Sequence, residues 1–380
     1  VLGWLAACTP PLLSLIYLVW QERNLRNWQR ATRVTTAASP VAHLPTVAVI
    51  VPFRNEADHL PLLLQDLLSQ DYPTDRYEVI LVDDHSEDGA LAGAGPLPAN
   101  VRVLRLADHP EVLTGKAYKK AALQLGISAT TAEVIVTTDA DCRCPPGWLA
   151  TIGGRFSDGA DVVLGPVMIA PATDFCSAFQ ALDLLAYQLF TAATVAAGTP
   201  ALANGANFAF RRATFRAVGG YAGVDHLPSG DDVLLLHKIS AHGGWSVEAV
   251  TDRQALATTR PVPGWRALWR QRLRWAGKAS HYGSAALNQA QALAFATSLG
   301  ILGGLIVGIW QPAVALGALL AWGIKAGIDR RLLGAVCTRY GQETLLRWYP
   351  AAQLLYPFYL VAVGSAALLG FRSSWKGRRA

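Results

Sequence analysis

The chain has 380 residues, of which 52% are hydrophobic and only 16% charged, and its 33 Lys and Arg exceed its 27 Asp and Glu by a net +6. That is apolar for a soluble protein of one large or two modest domains, and so modest a basic excess, much of it beside apolar stretches, argues against nucleic acid as a partner. The five cysteines (Cys8, Cys142, Cys144, Cys176, Cys337) include one C-x-C but no second pair or histidine at zinc-ligand spacing, which excludes a zinc-ribbon site and a disulfide framework and fits a reducing compartment.

The first twenty residues, VLGWLAACTPPLLSLIYLVW, carry no charge and are long enough to cross a hydrocarbon core, so residues 1–20 are expected to form a transmembrane helix. With no basic residues ahead of it, the stretch does not read as a signal peptide. Arg23, Arg26, Arg30 and Arg33 follow, placing residues 21–45 as a linker on the cytoplasmic side by the positive-inside rule.

From Thr46 short β-branched runs alternate with helical ones, the pattern of a doubly wound parallel α/β sheet, here assigned to residues 46–255. VAVIV is a buried strand ended by Pro52, ADHLPLLLQDLLSQ a helix, YEVILV a strand running into DDHSEDG, and VRVLRL a further strand. The helix GKAYKKAALQLG and the strand AEVIVTT, running into DADC, complete the half. Ligands of such sheets bind beyond the carboxyl ends of the strands, and the acids stand there. After the first strand PFRNEAD replaces any G-x-G-x-x-G, which disfavours a dinucleotide-binding domain.

Each candidate group has a plainer alternative. Asp83 and Asp84 can accept hydrogen bonds from a ribose hydroxyl or a base N–H, or simply cap a turn. Lys116, at the start of a helix, suits a bound phosphate or is a solvated lysine. Asp139 and Asp141 lie two apart in an extended chain, so both carboxylates can face one divalent cation bridging a diphosphate. Asp231 and Asp232 precede an apolar helix, where one can cap it and the other act as a general base. Asn204 to Arg212 (NGANFAFRR) allows backbone to approach a ligand.

Residues 256–290 are read as interfacial helices. In WRALWRQRLRW, Gln271, Arg274 and Trp275 share one face, with a guanidinium fork for a diphosphate and an aromatic wall. Trp265, Leu268, Trp269 and Arg272 make another stripe, of the kind that lies in a bilayer interface. Residues 291–380 form a C-terminal transmembrane region, with spans near Ala292–Trp310, Pro312–Ile328 and Ala351–Phe371. Lys325 is expected to snorkel to the interface. The basic segments before and after the last span cannot both face the cytoplasm if that span crosses once, so either it re-enters around Pro357 or the count of crossings differs.

Taken in order, VIVPFRNE, VDDHSEDG, GKAYKKAAL, TTDADC, GDD and QRLRW resemble the processive-type family 2 membrane glycosyltransferases of GT-A fold, which include cellulose, chitin and hyaluronan synthases and the ceramide glucosyltransferases. The resemblance runs from about Val47 to Trp275 and is specific because six motifs occur in order. It implies an α/β, Rossmann-like GT-A catalytic domain with flanking transmembrane and interfacial helices. It also implies inverting transfer from a UDP-sugar with Mg²⁺ or Mn²⁺. By motif, Asp83 or Asp84 would contact the uridine beside Pro52, Arg54 and Glu56, with Lys116 near base or phosphates, Asp139 holding the nucleotide and Asp141 the metal. Asp232 would be the base, with Asp231 where the synthases usually carry Glu. Arg274 would meet the diphosphate, and Gln271 and Trp275 would border the acceptor. So few spans resemble the ceramide glucosyltransferase branch more than a polymer-extruding synthase, which implies a lipid acceptor drawn from the bilayer and a catalytic domain facing the cytoplasm. A short-chain polysaccharide synthase and a non-catalytic, membrane-anchored nucleotide-binding protein are the rival readings.

Overall fold

The computed structural model describes residues 2–33, 44–113, 117–227, 230–278, 282–371, 374–375 and 378–379. In chain order the first elements are helix α1 (Leu2–Arg33), strand β1 (Val47–Phe53), α2 (Leu60–Leu68), β2 (Tyr77–Asp83), β3 (Val101–Arg105), α3 (Tyr118–Ser128) and β4 (Val134–Thr137). Then come β5 (Cys142–Arg143), α4 (Trp148–Ser157), β6 (Val162–Leu164), β7 (Val167–Ile169), α5 (Phe175–Ala196), β8 (Phe208–Arg211), α6 (Arg212–Ala217) and α7 (Asp231–His242). The chain finishes with β9 (Val247–Ala249), β10 (Ala257–Thr259), α8 (Gly264–Ala276), α9 (Ala285–Val307), α10 (Pro312–Tyr340), α11 (Tyr349–Leu368) and a short β11–β12 hairpin (Ser374–Trp375, Arg378–Arg379). Two compact units result, one of residues 30–170 and 195–260, the other of residues 1–29, 171–194 and 261–380.

The first unit is built on a sheet in the order β3-β2-β1-β4-β8-β6-β9, with β5-β10-β7 as a second sheet among the described residues. Apolar runs buried on both faces explain the centre: Val47–Val51, Val79–Val82 and Val134–Val136 are all buried, as strands covered from two sides must be. Pro52 does not end β1 but lies inside it, opposite Val82. The expected parallel sheet is mixed. β3, β2, β1 and β4 are parallel, but β8 runs antiparallel to both β4 and β6. This reversal has a structural consequence: Phe208, which begins β8, pairs with Thr137, which ends β4. The turn Gly205–Asn207 is therefore delivered to the edge where the parallel strands finish.

A buried polar network fixes that turn. The Asn207 amide nitrogen donates to the carbonyls of Pro166 and Ala255, both at 2.8 Å, and its oxygen accepts from the Trp148 indole at 3.0 Å. Asn207→Ala would orphan these buried groups, so we expect a loss of about 2–3 kcal/mol, read as a lowered thermal midpoint in detergent.

In the second unit, α9, α10 and the segment Glu343–Leu368 are long and apolar enough to cross a membrane. Leu299, Ile306, Leu316, Leu320, Leu354 and Phe358 point outward from them, as lipid-facing side chains do. α11 passes through Pro357 as one helix. α1 continues from the first apolar stretch to Arg33 without a break, so much of the expected linker is helical. Lys325 does not snorkel. It is fully buried in an i,i+4 pair with Asp329, which also accepts from the Tyr17 hydroxyl at 2.8 Å. The acid one turn on, together with α1, gives the ammonium an internal partner, so it has no need of the interface.

Candidate active site

Asp83 and Asp84 stand at the carboxyl end of β2, and Asp139 and Asp141 just beyond that of β4. After β1 and β2 the chain makes left-handed turns at Asn55 (φ 52°) and His85 (φ 60°), the positive-φ residues other than glycine among those described. The two loops are tied together: the Asn55 side chain accepts from Glu87 N–H at 2.9 Å, Asn55 N–H donates to Ser86 Oγ at 3.1 Å, and Ala57 N–H donates to Asp88 at 2.8 Å. This separates the two acids of β2. Asp84 turns inward, 4% exposed and 3.0 Å from His85 Nδ1. Burial raises its pKa, against the opposing pull of His85 and Arg54. Asp83 is half-exposed, one of its oxygens accepting Ser86 N–H at 2.8 Å, so it caps the turn and still faces outward. Glu56 is 2.8 Å from His59 Nδ1.

Asp139 and Asp141 flank a tight turn, in which Cys142 N–H meets the Asp139 carbonyl at 3.0 Å, rather than lying on an extended strand. Burial first, then the charges of Asp139 and Glu56, raises the pKa of Asp141, which accepts from Thr259 Oγ1 at 3.2 Å.

The organising group is Lys119, three residues after the expected Lys116, which lies outside the described residues. The Lys119 ammonium donates to Asp139 at 2.7 Å and lies 3.5 Å from Asp231. Burial works to lower its pKa, but the carboxylates of Asp139, Asp231 and Asp232 overcome this and hold it well above the ordinary value. Helical phase carries the signal in hindsight: Ala122, Ile127 and Leu123 bury α3, and one residue of its first turn faces the acids.

Asp231 and Asp232 open α7, but neither is the cap residue. That position belongs to Gly230, in the left-handed region at φ 78°, and both acids fall in the first turn, where the helix dipole favours them. Asp231 is buried. Asp232 accepts Gly205 N–H at 2.8 Å and its neighbour Val233 N–H at 2.7 Å. Burial, then the adjacent Asp231 charge, raises the Asp232 pKa, while Lys119 opposes the rise. A Cβ on Gly205 would come within 3.1 Å of Asp231 Oδ2 and 3.3 Å of Lys119 Nζ. Gly205→Ala must therefore shift the cluster by a few tenths of an ångström. We expect turnover about tenfold lower with the fold kept, checked by steady-state kinetics beside circular dichroism.

Gln271, Arg274 and Trp275 belong to α8 in the second unit, and all are half-buried. The interfacial stripe expected beside them is not one. Leu268 and Arg272 are buried, 1% and 2% exposed, and only Trp265 and Trp269 of that stripe remain open. Trp265 packs on Phe175 and Phe179 of α5 with ring centroids 5.6 and 5.5 Å away.

Among the described residues no group of three or more His, Cys, Asp or Glu is placed to hold a metal ion. The donor set nevertheless suits Mg²⁺ or Mn²⁺. Asp139 and Asp141 supply carboxylate oxygens whose mutual repulsion a cation would relieve, and such ions complete their shells with substrate phosphates and water.

Comparison with known proteins identifies the family and the fold. Residues 48–215 match Glycosyl transferase family 2, and residues 134–371 match Glycosyl transferase family group 2. The latter span is more than half of the chain, which belongs to the family 2 glycosyltransferases. The probable glycosyltransferase YdaM of Bacillus subtilis is 25% identical over 268 residues, covering 67% of this chain and 58% of its own. The beta-monoglucosyldiacylglycerol synthase of Synechocystis sp. is 25% identical over 253 residues, covering 65% and 50%. The chain thus spans about half the length of these curated relatives. The mannosyltransferase PcManGT of Pyrobaculum calidifontis, solved with GDP-Man and Mn²⁺, aligns with a TM-score of 0.53 at 23% identity over 94% of this chain and 99% of that one. The likeness is one of fold, and it identifies the mixed α/β unit as GT-A.

Proposed function

We propose that this chain transfers a sugar from a nucleoside diphosphate sugar, a UDP-sugar by the resemblance of its motifs, to a lipid acceptor at the membrane, with inversion at the anomeric carbon. The observation that carries the reading is the cluster of Asp139, Lys119, Asp231 and Asp232 gathered around the Gly205 turn. A single ammonium there lies among Asp139, which we read as donor-side, and Asp231 and Asp232, which we read as acceptor-side.

In this mechanism the half-buried Asp232 carboxylate takes the proton from the acceptor hydroxyl. The freed oxygen bonds to the anomeric carbon as the bond from that carbon to the diphosphate breaks, and the nucleoside diphosphate leaves with the electron pair. The hydrogen bond from Gly205 N–H keeps the carboxylate aimed. Lys119 offsets the repulsion that nearby acids would otherwise exert. Asp83, outward at the end of β2, is the acid suited to the uridine, and on motif grounds Pro52, Arg54 and Glu56 would border the same nucleotide. Asp141, with Asp139 beside it, would hold Mg²⁺ or Mn²⁺, which when bound supplies charge neutralisation for the diphosphate. On motif grounds Arg274 would also stabilise the diphosphate, and Gln271 and Trp275 would border the acceptor. Chelation by EDTA is expected to abolish transfer and added Mn²⁺ to restore it, measured as nucleotide release.

A lipid acceptor is supported by the helices long enough to cross a membrane and by the diacylglycerol-linked name of the Synechocystis relative. We place the catalytic unit on the cytoplasmic side from the arginines that follow the first apolar stretch. The test is the chain purified in detergent, assayed for nucleotide release from UDP-glucose, UDP-galactose, UDP-GlcNAc and GDP-mannose, with mass spectrometry of extracted lipids. Release with a new glycolipid is expected. Release with a growing polymer and no glycolipid would overturn the acceptor class, and nucleotide binding without release would overturn catalysis.

A further inference from the structure

The second unit holds a buried ion pair that the proposed mechanism does not use. Arg272 of α8 and Asp183 of α5 meet at 2.7 Å, each side chain 2% exposed. Around them Arg266 and Arg270 of the same helix are exposed, so the burial of Arg272 is selective. Its guanidinium carbon lies 4.1 Å from the centre of the Trp275 ring and 6.0 Å from that of Tyr187. On the acid's side, the Tyr356 hydroxyl of α11 approaches Asp183 at 3.4 Å. Three helices thus converge on one pair, and one of them carries Gln271, Arg274 and Trp275.

Desolvating both charges costs about as much as their attraction returns, so such a pair is a poor source of stability. It is a good source of orientation. The stack on Trp275, a residue of the same helix, fixes the direction of the planar guanidinium, and the carboxylate of α5 then ties that direction to a neighbouring helix, so few rotations of α8 about its axis keep the pair. An apolar pair of similar volume would fill the space without specifying an angle.

We infer that Asp183 and Arg272 are positioning residues, fixing the rotation of α8 so that Trp275 and the adjoining Gln271 and Arg274 present the face used in transfer; the catalytic part of this rests on the function proposed above. The test sets the double variant Asp183→Leu/Arg272→Met beside Asp183→Asn, Arg272→Lys and the unaltered full chain in detergent. Spin labels at the exposed positions Ala186 of α5 and Arg270 of α8 report the distance between the helices. We expect the apolar double variant to match the parent's thermal midpoint, yet to show a broadened distance distribution and a kcat at least tenfold lower with KM for the donor unchanged. Asp183→Asn should lose kcat likewise, while Arg272→Lys, which keeps charge but not the planar stack, should fall between. A parent-like distance distribution or parent-like turnover in the double variant overturns the inference. Should the parent itself transfer no sugar, the functional reading fails, and the distances alone decide whether the pair orients α8.

Discussion

Replacing Asp232 by asparagine is expected to lower sugar transfer by about 10²–10⁴-fold while nucleotide affinity stays within about twofold, the separation expected when a general base is removed and little else. The substitution is nearly isosteric, and the amide oxygen can still accept Gly205 N–H, so the turn that ends at β8 keeps its anchor while the shorter-range contact to Val233 N–H is given up. What disappears is an atom able to take a proton. The pH profile offers a second measure on the unaltered protein. Because burial and Asp231 raise the Asp232 pKa, the acid limb of kcat should lie above the ordinary carboxylate range, with activity lost as pH falls through that raised value and the base becomes protonated. Nucleotide release in the presence of acceptor, set beside calorimetric binding, checks the prediction. Transfer retained by Asp232→Asn would remove it from the role of base.

Sequence alone disclosed the sheet's parallel half, because β1, β2 and β4 are apolar on both faces and acids stand at or just beyond the ends of β2 and β4. It could not disclose β8. That strand's antiparallel course depends on where the chain returns after α5, and period-two patterning is the same in either direction. The same long-range pairing hides Lys119 and Arg272. Both look locally like members of basic runs, and their partners stand far off in sequence: Asp139 and Asp231 for the first, Asp183 for the second. Lys325 differs, because its partner Asp329 stands only one turn on, yet a lysine near the end of an apolar run suits the interface until α1 brings Tyr17 beside that acid. The strand-end acids were legible because the sheet's topology decides their location. The cations that serve them were not, because only tertiary packing decides which face of a helix meets which acid.

Lys119→Met is expected to reduce turnover at neutral pH by about 10²-fold and to move the acid limb of kcat to higher pH. The sign follows from the charges. Burial and Asp231 already raise the Asp232 pKa and Lys119 opposes them, so losing the ammonium lets it rise further, and a larger share of the base is protonated at any given pH. Geometry is lost as well, since Asp139 gives up its 2.7 Å partner and Asp231 the cation 3.5 Å away. Arginine at position 119 should recover much of the pH profile, because the charge returns, but less of the rate, because a planar fork does not reproduce a compact ammonium. Lys120 is the control from the same helix. It is buried, donating to the carbonyls of Val224 and Leu227 at 2.8 and 2.7 Å, and its ammonium holds a loop. Lys120→Met should therefore lower the thermal midpoint and move the acid limb less than Lys119→Met does, since Lys120 feels Asp231 and Asp232 but bonds to neither. Profiles of kcat against pH for the three variants separate the roles: a limb unmoved in Lys119→Met, or moved equally in Lys120→Met, would deny Lys119 its place as the cation that keeps the base ionised.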